Sequence, residues 1–595
     1  MKKLVCFYLA ASLFALPSWS GDISGQAYTE RFNNYLKWRQ NLPAQPDSEF
    51  LAFISDDTPL AVKLRERWLY QLARQKNWGE FSKYYKPTDD IGLQCFAGLA
   101  DYYQDRQAQA FEIAKPLWLS AESRPQACNQ LFDLMLKSDN FDEKLLSQRI
   151  NLALEKRNLA LARYLLKQYR QPRHKDEQLL VTIHQNPARI TQVTSGDLHD
   201  EFYLYGLKRM VAINMDKAIQ YSRNDQAKKL LSPAQKQAFL AHVALYKAMR
   251  NHDDASDWFS KVQSSYYTDI LLDWQIRYAL KRLQWKEVKK LASYQDPESP
   301  CWQYWLARAE EATGDSAKAK EIYQKLAETR NYYGFLASLH LNKKPAFCNE
   351  NPIKNMALLK PYQPVIDNIK SLYFSKQTVE ASRMLNDFVS ELPKEDKSAV
   401  IYWVSNELQW HGKAIYLSSN EQLNNQLALR FPLAHHETVS AYAKSYQLPA
   451  EFIYAIIRQE STFRDDVVSS AGARGLMQIM PQTASQVAKR EKIAYTDKAQ
   501  LFSTQKNINI GAAYLKHLAK RFRYHPILVA AAYNAGPRQV NYWLKNHPPK
   551  QIDIWIETLP WQETRNYLKN VLAFYAVYQY RMQQKPDLKI FMEPL

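Results

Sequence analysis

Glycine is scarce in this sequence, with 14 residues among 595. Strands and the tight turns between them leave signals rich in glycine, and this chain has few of them. Hydrophobic residues make up 46% of the chain, and leucine, alanine, glutamine and lysine are abundant. These residues favour helices, so we predict a mostly all-α protein. A chain of this length is too long for one core and should contain several domains.

Long apolar runs are also missing after the first twenty residues, so we expect no transmembrane segment. The N-terminus is different. Lys2 and Lys3 precede an apolar stretch over residues 4–16, and small residues occupy positions 18 and 20. This pattern predicts a signal peptide over residues 1–20, which is too short and too close to Pro17 for a membrane span. We therefore expect a soluble protein that is exported from the cytoplasm.

Cysteine is rare, and four of the five cysteines lie beyond the predicted signal. An even number in an oxidising compartment allows two disulfides. We predict the pairs that are nearest in sequence, Cys95 with Cys128 and Cys301 with Cys348, while four buried thiols stay open as the alternative. No cysteine or histidine spacing resembles a metal site, so we expect neither a metal nor another cofactor.

Acidic residues are outnumbered: lysine and arginine total 79 against 60 aspartate and glutamate residues, a net charge of +19. Such a charge suits an anionic partner. Export argues against nucleic acid, which we do not expect as a partner. The cell-wall polymer fits better, because its stem peptides carry free carboxylates.

Residues 25–340 read as a succession of amphipathic helices with short polar breaks. Trp274–Arg277 and Trp305–Arg308 resemble one another, and each is followed by a turn and a second helix. Helix pairs of this kind cannot bury their apolar faces alone, so we predict a helical-hairpin solenoid. Prolines near residues 345–364 indicate a boundary, and four of the fourteen glycines lie after residue 430.

One helix ends in an unusual way. Ile453, Ile456 and Glu460 share one helical face, which places a carboxyl on an apolar stripe in the last turn. Burial and the negative helix end both raise a carboxyl pKa. A carboxyl that is protonated near neutral pH can act as a general acid. The alternative is a glutamate that bends out to water or pairs with Arg458.

Four polar clusters occur in a fixed order after residue 450. Each is weak evidence alone, because each has a structural explanation, such as a helix that ends on Gly536 and another that starts on Pro537. The clusters cover residues 458–463 (RQESTF), 469–481 (SSAGARGLMQIMP), 532–537 (AYNAGP) and 563–571 (ETRNYLKNV).

In this order the clusters closely resemble the motifs of the soluble lytic transglycosylases of the bacterial cell wall, and the similarity is strongest over residues 430–580. The resemblance implies a helical superhelix domain over residues 21–360, a helical linker domain over 361–429 and a lysozyme-like catalytic domain over 430–595. It also implies cleavage of the MurNAc-β-1,4-GlcNAc bond of peptidoglycan with formation of 1,6-anhydroMurNAc ends. Glu460 would be the sole catalytic acid and base.

The resemblance also implies roles for further residues. Tyr533 would hydrogen-bond near Glu460 or near the substrate N-acetyl group. Asp465 and Asp466 are interpreted as surface loop residues, so no second catalytic carboxylate is expected. The expected substrate-binding residues are Ser469, Gln478, Met480, Tyr533 and Asn534. The expected supporting residues are Ser461, Glu563 and Tyr567.

Two alternatives stay open at this point. A lysozyme-like peptidoglycan hydrolase would use the same fold and the same Glu460 but admit water. A cell-wall-binding scaffold without turnover would belong to another class, and solenoids often serve as scaffolds. The expected partners are peptidoglycan glycan strands and, as further candidates, other cell-wall enzymes, and we expect a monomer.

Overall fold

The computed structural model describes residues 25–592, except residues 140, 547, 549 and 550. The predicted signal peptide therefore lies outside the described residues. Within them there is no β-strand, and only two isolated bridges occur, Val468 with Arg474 and Arg474 with Ile479. The prediction of an all-α fold is confirmed. No helix in the described range is long and apolar enough to cross a membrane.

The regular elements of the described residues are α-helices and short 3-10 helices. In chain order the α-helices are α1 (Gly25–Gln40), α2 (Ser48–Ser55), α3 (Pro59–Arg74), α4 (Trp78–Tyr84), α5 (Ile91–Tyr103), α6 (Gln107–Trp118), α7 (Asn129–Leu136), α8 (Lys144–Glu155), α9 (Leu159–Leu166), α10 (His174–Gln185), α11 (His199–Val211), α12 (Met215–Arg223), α13 (Asp225–Leu230), α14 (Pro233–Met249), α15 (Ala255–Phe259), α16 (Asp269–Lys281), α17 (Trp285–Ala292), α18 (Pro300–Ala312), α19 (Ser316–Leu326), α20 (Tyr332–His340), α21 (Gln363–Phe374), α22 (Thr378–Glu391), α23 (Lys394–Asn406), α24 (His411–Leu417), α25 (Leu427–Arg430), α26 (His436–Tyr446), α27 (Ala450–Glu460), α28 (Pro481–Glu491), α29 (Thr504–Arg521), α30 (Pro526–Ala535), α31 (Pro537–Asn546), α32 (Ile552–Glu557) and α33 (Gln562–Arg581). The 3-10 helices are Gln126–Cys128, Pro187–Gln192, Ser264–Tyr266, Met356–Tyr362, Lys498–Phe502 and Lys589–Phe591.

The chain divides into two compact units, and the first combines residues 25–68 with Ile353–Leu408. Inside this unit α1 packs against α21. Asp387 of α22 is fully buried and links distant stretches of sequence, because its carboxylate accepts hydrogen bonds from the Tyr28 hydroxyl and the Leu60 N–H, both at 2.8 Å. A buried carboxylate needs such partners to offset its lost hydration. Asp387 therefore fixes how these two stretches pack.

The second unit combines Leu69–Pro352 with the chain from Gln409 onward. In its first stretch, consecutive helices pack in pairs, as α5 with α6, α8 with α9, α11 with α12, α16 with α17 and α18 with α19. The two similar tryptophan segments fall on α16 and α18, each followed by its partner helix. Trp274 and Trp305 are both buried. The predicted helical-hairpin solenoid is confirmed.

Two arginines in equivalent positions of these hairpins bind the short helix α32. Arg277 of α16 lies 3.1 Å from the Glu557 carboxylate, and Arg308 of α18 pairs with Asp553 one turn earlier. Both carboxylates are buried, Glu557 to 1% exposure and Asp553 to 2%. Tyr304 also donates to Asp553 at 2.7 Å. The hairpin repeat thus provides matched binding positions for one helix of the C-terminal stretch.

The cysteines follow one predicted pairing and contradict the other. Cys95 and Cys128 form a disulfide with an S–S distance of 2.00 Å, which confirms that prediction and makes the four-thiol alternative wrong. The predicted Cys301–Cys348 disulfide is wrong, since both cysteines are free. Cys301 instead contacts the Tyr333 hydroxyl at 3.0 Å, whereas Cys348 is exposed. Proximity in sequence did not bring these two thiols together.

Helices α26 to α33 form the C-terminal part of the second unit. Helix α27 packs against α26 and α33, while α29 packs against α26, α28 and α30. The predicted helix junction is confirmed, because α30 ends at Ala535 and α31 begins at Pro537. The predicted domain boundaries after residues 360 and 429 stay predictions.

Candidate active site

Glu460 is the last residue of α27, whose preceding residues are almost entirely buried. Ile453 and Ile456 have no exposed surface, whereas Glu460 is half-buried at the edge of this apolar face. The chain leaves the helix through Thr462 and Phe463, which both adopt left-handed backbone angles, with φ of 55° and 61°. The sharp exit holds the carboxyl at the end of the helix, where it remains partly accessible.

The Glu460 carboxyl has a specific hydrogen-bond donor. The hydroxyl of Tyr567, which is buried on α33, donates to Glu460 Oε1 at 2.7 Å. Burial raises the pKa of Glu460 from 4.5 to about 7, the Tyr567 hydrogen bond opposes this rise, and the nearby Glu563 charge adds to it. The raised pKa that the sequence predicted is therefore confirmed. Glu460 can carry a proton near neutral pH.

Arg458 does not neutralise this carboxyl. Its Nε donates to the carbonyl of Arg430 at 2.9 Å, and its guanidinium lies over the rings of Phe431 and Phe574. The alternative in which Glu460 pairs with Arg458 is therefore wrong, because Arg458 is engaged elsewhere.

The loop over residues 467–479 lies beside this helix end. Hydrogen bonds to its own backbone carbonyl groups hold the loop together. Gln478 has a left-handed φ of 46°, and its Nε2 donates to the carbonyls of Val467 at 3.1 Å and Gly475 at 2.9 Å. A Cβ at Gly475, where φ is 71°, would lie 2.1 Å from the carbonyl oxygen of Leu501. Only glycine fits this position without displacing backbone. The Gln478 amide N–H groups thus stabilise the loop.

Tyr533 connects this loop to α30. Its hydroxyl donates to the carbonyl of Met477 at 2.7 Å, and its ring contacts Tyr514 with centroids 5.5 Å apart. Burial and the neighbouring Glu460 charge raise the pKa of Tyr533 well above 10. Tyr533 is therefore close to Glu460, although the hydrogen bond to Glu460 comes from Tyr567.

Asn534 joins the end of α30 to the start of α33. Its amide N–H lies 3.4 Å from Glu563 Oε1, and its Oδ1 accepts a 2.7 Å hydrogen bond from the Thr564 hydroxyl. Glu563 is exposed and Thr564 is buried. Both groups hold the Asn534 side chain in one orientation.

The other predicted site residues are Ser461, Ser469 and Met480, and within the described part of the chain they make no hydrogen bonds between the clusters. Ser461 is buried, and its hydroxyl donates to the carbonyl of Ile457 at 3.3 Å. Ser469 Oγ accepts the N–H of Ala473 at 3.0 Å. Met480 is 40% exposed and precedes α28. Among the described residues, neither Ser469 nor Met480 makes a hydrogen bond to the side chains around Glu460.

The four polar clusters of the sequence are thus joined in space. Tyr567 links the fourth cluster to Glu460 of the first, Tyr533 links the third to the second, and Asn534 links the third to the fourth. Because the clusters lie on separate helices and, for the second cluster, in a loop, only folding brings them together. Their contacts surround the Glu460 carboxyl.

Comparisons with known proteins match the part of the chain that holds these clusters. A family model described as "Transglycosylase SLT domain" matches residues 437–556, and one described as "Soluble lytic transglycosylase helical domain" matches residues 558–586. The soluble lytic murein transglycosylase of Escherichia coli K12 is 28% identical over 93% of this chain and 88% of its own length.

Solved structures extend this similarity to the fold. The lytic transglycosylase Slt from Pseudomonas aeruginosa, solved as an inactive glutamate-to-glutamine variant, superposes with a TM-score of 0.81 at 28% identity, covering 96% of this chain and 95% of that one. A 70 kDa soluble lytic transglycosylase, solved in complex with bulgecin A, superposes with a TM-score of 0.74 at 27% identity, covering 94% of this chain and 93% of that one. Over most of its length the chain is similar to soluble lytic transglycosylases, and residues 437–556 match their SLT domain.

The sequence motifs missed one residue that organises the site. Asn507 of α29 is 1% exposed, accepts the N–H of Met477 at 2.8 Å and donates to the carbonyls of Arg474 at 3.0 Å and Leu501 at 2.7 Å. Asn507 therefore anchors the 467–479 loop, although it lies on a separate helix. The sequence did hold a sign of this role, since Asn507 lies on the same helix face as Leu515. A buried amide without hydrogen-bond partners is costly, so an amide at such a position must bind neighbouring groups.

The two carboxylates that follow Glu460 are surface loop residues, as predicted. Asp465 and Asp466 are both exposed in the loop. Among the residues that the structure describes, no three histidine, cysteine, aspartate or glutamate side chains are grouped in a way that could hold a metal ion. Glu460 itself can give and take a proton, with Glu563 as a nearby charge.

Proposed function

We propose that this chain is a peptidoglycan lytic transglycosylase that cleaves the MurNAc-β-1,4-GlcNAc bond and leaves 1,6-anhydroMurNAc ends, with Glu460 as its single acid and base. The observation that carries the proposal is the half-buried carboxyl with a pKa of about 7 and a Tyr567 hydroxyl bonded to it. The related Pseudomonas aeruginosa enzyme is inactive as a glutamate-to-glutamine variant.

In the first step Glu460 donates its proton to the oxygen that links MurNAc to GlcNAc. The bond between that oxygen and the anomeric carbon breaks, and the GlcNAc side leaves as an alcohol. A pKa near the working pH is what this step needs, because the acid must be both protonated and able to give up its proton. The Tyr567 hydrogen bond stabilises the carboxylate that results.

In the second step the Glu460 carboxylate takes the proton of the C6 hydroxyl while O6 attacks the anomeric carbon. This closes the 1,6-anhydro ring and returns Glu460 to its protonated form without consuming water. Between the steps, the N-acetyl oxygen of the substrate stabilises the cationic carbon. The exposed positions of Asp465 and Asp466 support this substrate-assisted route, since neither offers a second carboxylate beside Glu460.

The residues around Glu460 take positioning and binding roles in this proposal. Asn534, held by Thr564 and Glu563, orients the sugar that reacts. Tyr533 fixes the 467–479 loop through the Met477 carbonyl. Further substrate contacts come from Ser469, Gln478 and Met480. Ser461 supports the end of α27.

The protein would work on glycan strands in the periplasm, where this polymer lies. The predicted signal over residues 1–20 and the net charge of +19 support that location and an anionic substrate. Cell fractionation with an antibody against the mature chain tests the location.

The deciding experiment incubates the mature protein with purified peptidoglycan and weighs the soluble products by mass spectrometry. We expect muropeptides that end in 1,6-anhydroMurNAc, one water lighter than reducing-end products. Reducing ends would replace the proposal with a hydrolase that uses the same Glu460.

Glu460→Gln is the matched variant, because it keeps the shape of the side chain and removes the acid. It should release no soluble product and still bind peptidoglycan. Soluble product from this variant at a rate near that of the parent would overturn the proposed mechanism. Binding by the parent without any product would favour the scaffold alternative.

A further inference from the structure

The stretch that contains α28 and α29 carries an excess of positive charge. Residues 481–525 hold nine lysine and arginine residues but only two acidic ones, Glu491 and Asp497. Glu491 pairs with Arg490 at 3.1 Å, whereas Arg521 forms no ion pair within the described part of the chain. Most of this positive charge is therefore available to an anionic partner.

Two of these arginines, Arg490 and Arg521, lie around one histidine and are called the arginine pair below. Arg490, at the end of α28, donates an N–H to Nδ1 of His517 on α29 at 3.0 Å. Partial burial lowers the pKa of His517, and the charges of Arg490 and Arg521 lower it further. Both arginines are exposed, so their guanidinium groups can be reached from solvent. One carboxylate, Glu491, balances these two positive charges only in part.

The arginine pair lies two helical turns beyond the residue that contacts Tyr533. Tyr514, His517 and Arg521 share one face of α29, because they are three and seven residues apart. The Tyr514 ring packs on Tyr533, whose pKa is raised in part by the charge of Glu460. Burial raises the pKa of Tyr514 itself, and the charges of the arginine pair oppose this rise. One helix face therefore leads from the surroundings of Glu460 to the arginine pair.

We propose that Arg490 and Arg521 bind the free carboxylates of a peptidoglycan stem peptide, so that the enzyme prefers strands that carry peptides. The planar fork of a guanidinium group matches the two oxygens of a carboxylate. The substrate class rests on the proposed function, because the stem peptide is attached to the MurNAc on which Glu460 would act.

The distance along α29 suits a stem peptide. Seven residues separate Tyr514 from Arg521, which corresponds to about 10 Å of helix. An extended stem of four residues reaches at most about 14 Å. With its sugar beside Tyr533, the last residues of such a stem come level with the arginine pair. Lipid phosphates carry charge of the same sign, but no bond attaches them to a sugar in the active site.

The test compares two soluble substrates, glycan strands with tetrapeptide stems and the same strands after an amidase has removed the stems. The parent should have the higher kcat/KM on the strands with peptides. Arg490→Gln combined with Arg521→Gln should reduce that preference about fivefold, which is the loss expected from two exposed ion pairs. The parent's preference should also fall in 1 M salt, since salt screens exposed charges.

Arg223→Gln is the matched control, because Arg223 is also an exposed arginine but lies at the end of α12 in the solenoid stretch. It should keep the parental preference. An unchanged preference in the double variant, or an equal loss on both substrates, would overturn the proposal. Weaker binding of the double variant to phosphatidylglycerol vesicles, with the preference retained, would overturn it in favour of a lipid surface.

A binding assay separates this proposal from the proposed function. The mature full-length chain with Glu460→Gln should bind peptide-bearing strands about fivefold more tightly than the same protein with both arginines replaced. If the parent released no anhydro products but this difference in binding were found, the proposed function alone would fail. If anhydro products formed and the two proteins bound equally, the proposal for the arginine pair alone would fail.

Discussion

At Glu460, burial and the Glu563 charge raise the carboxyl pKa, whereas the hydroxyl of Tyr567 lowers it. The net result, a pKa of about 7, places the proton where it can be given and taken back near neutral pH. Each neighbour can therefore be tested by the direction in which its removal moves the pKa.

Tyr567→Phe removes the donor that stabilises the carboxylate, so the Glu460 pKa should rise above its present value. A hydrogen bond to a charged group contributes about 1.5 to 3 kcal/mol, which corresponds to a rise of one pKa unit or more. Because Glu460 acts first as an acid, the alkaline limb of the kcat/KM profile should move to higher pH. Tyr542→Phe, at an exposed tyrosine of α31, should leave the limb in place. An unmoved limb in Tyr567→Phe would contradict the role assigned to this hydrogen bond.

Glu460 also makes stability depend on pH. Its folded pKa of about 7 is above its ordinary value of 4.5, so the folded protein holds the proton more tightly than the unfolded chain does. This contribution is complete below pH 4.5 and is lost as the pH rises through 7. Glu460→Gln should therefore match the parent near pH 4 and exceed it at pH 8 by up to about 3 kcal/mol.

Chemical denaturation of both proteins at pH 4 and pH 8 measures this difference. Glu421→Gln, at an exposed glutamate, is the control and should keep the same difference from the parent at both pH values. A constant offset for Glu460→Gln as well would show that burial does not raise its pKa.

At the scale of the element, the 467–479 loop is held by a few backbone contacts. Asn507 binds three backbone groups at or beside the loop, and Gly475 lies directly against Leu501 and Asn507. The loop therefore tolerates little added volume at its contact with α29. Because Tyr533 binds the same loop, a displaced loop should also disturb the surroundings of Glu460.

Gly475→Ala tests this packing. Its Cβ would lie 2.1 Å from the Leu501 carbonyl oxygen and 2.4 Å from Asn507 Nδ2, at a φ of 71°. Clash and backbone strain together should cost about 3 kcal/mol. Gly472→Ala is the control, since its φ is 92° but nothing lies within 4 Å of its Cβ. It should cost only about 1 kcal/mol. Equal losses in denaturant unfolding would mean that the contact with Leu501 is unimportant.

At the scale of the whole molecule, Glu557 joins the solenoid helices to the catalytic helices of the second unit. Its carboxylate contacts Arg277 of α16 at 3.1 Å, accepts the Tyr333 hydroxyl of α20 at 2.6 Å and contacts Lys569 of α33 at 2.8 Å. Burial raises the pKa of Glu557, but the charges of Lys569 and Arg277 lower it by more and hold it well below its usual range. Since Tyr567 also lies on α33, this cluster helps to fix the helix that carries the donor to Glu460.

Glu557→Ala should destabilise the second unit by about 3 kcal/mol, because it removes the carboxylate partner of Lys569 and leaves the buried Arg277 with Asp273 alone. Glu321→Ala, which breaks an exposed pair with Lys325, should cost less than about 0.5 kcal/mol. The loss at Glu557 should persist in 1 M salt, since a buried pair is poorly screened. The loss at Glu557 should become smaller in acid. A carboxyl with a lowered folded pKa stabilises the protein fully only above its unfolded pKa, and this contribution is lost as the pH falls toward the folded pKa. A loss of stability that decreased in 1 M salt would show instead that solvent reaches the cluster.

The sequence by itself determined the features that depend on neighbours along the chain. The helical class, the α16–α17 and α18–α19 hairpins and the helix junction at Gly536 follow from local periodicity and from glycine and proline. The raised pKa of Glu460 also follows from its place on an apolar helix face, since residues three and four apart share that face. The order of the four clusters was enough to indicate the family.

Only the tertiary structure decided which distant side chains meet. It selected Tyr567 as the donor to Glu460 and Asn507 as the anchor of the loop, and it left Cys301 and Cys348 unpaired. It also combined residues 25–68 with Ile353–Leu408 in one unit. Periodicity shows which face of a helix is buried but not what packs against it. That choice depends on how all the buried faces fit together, which no local stretch of sequence contains.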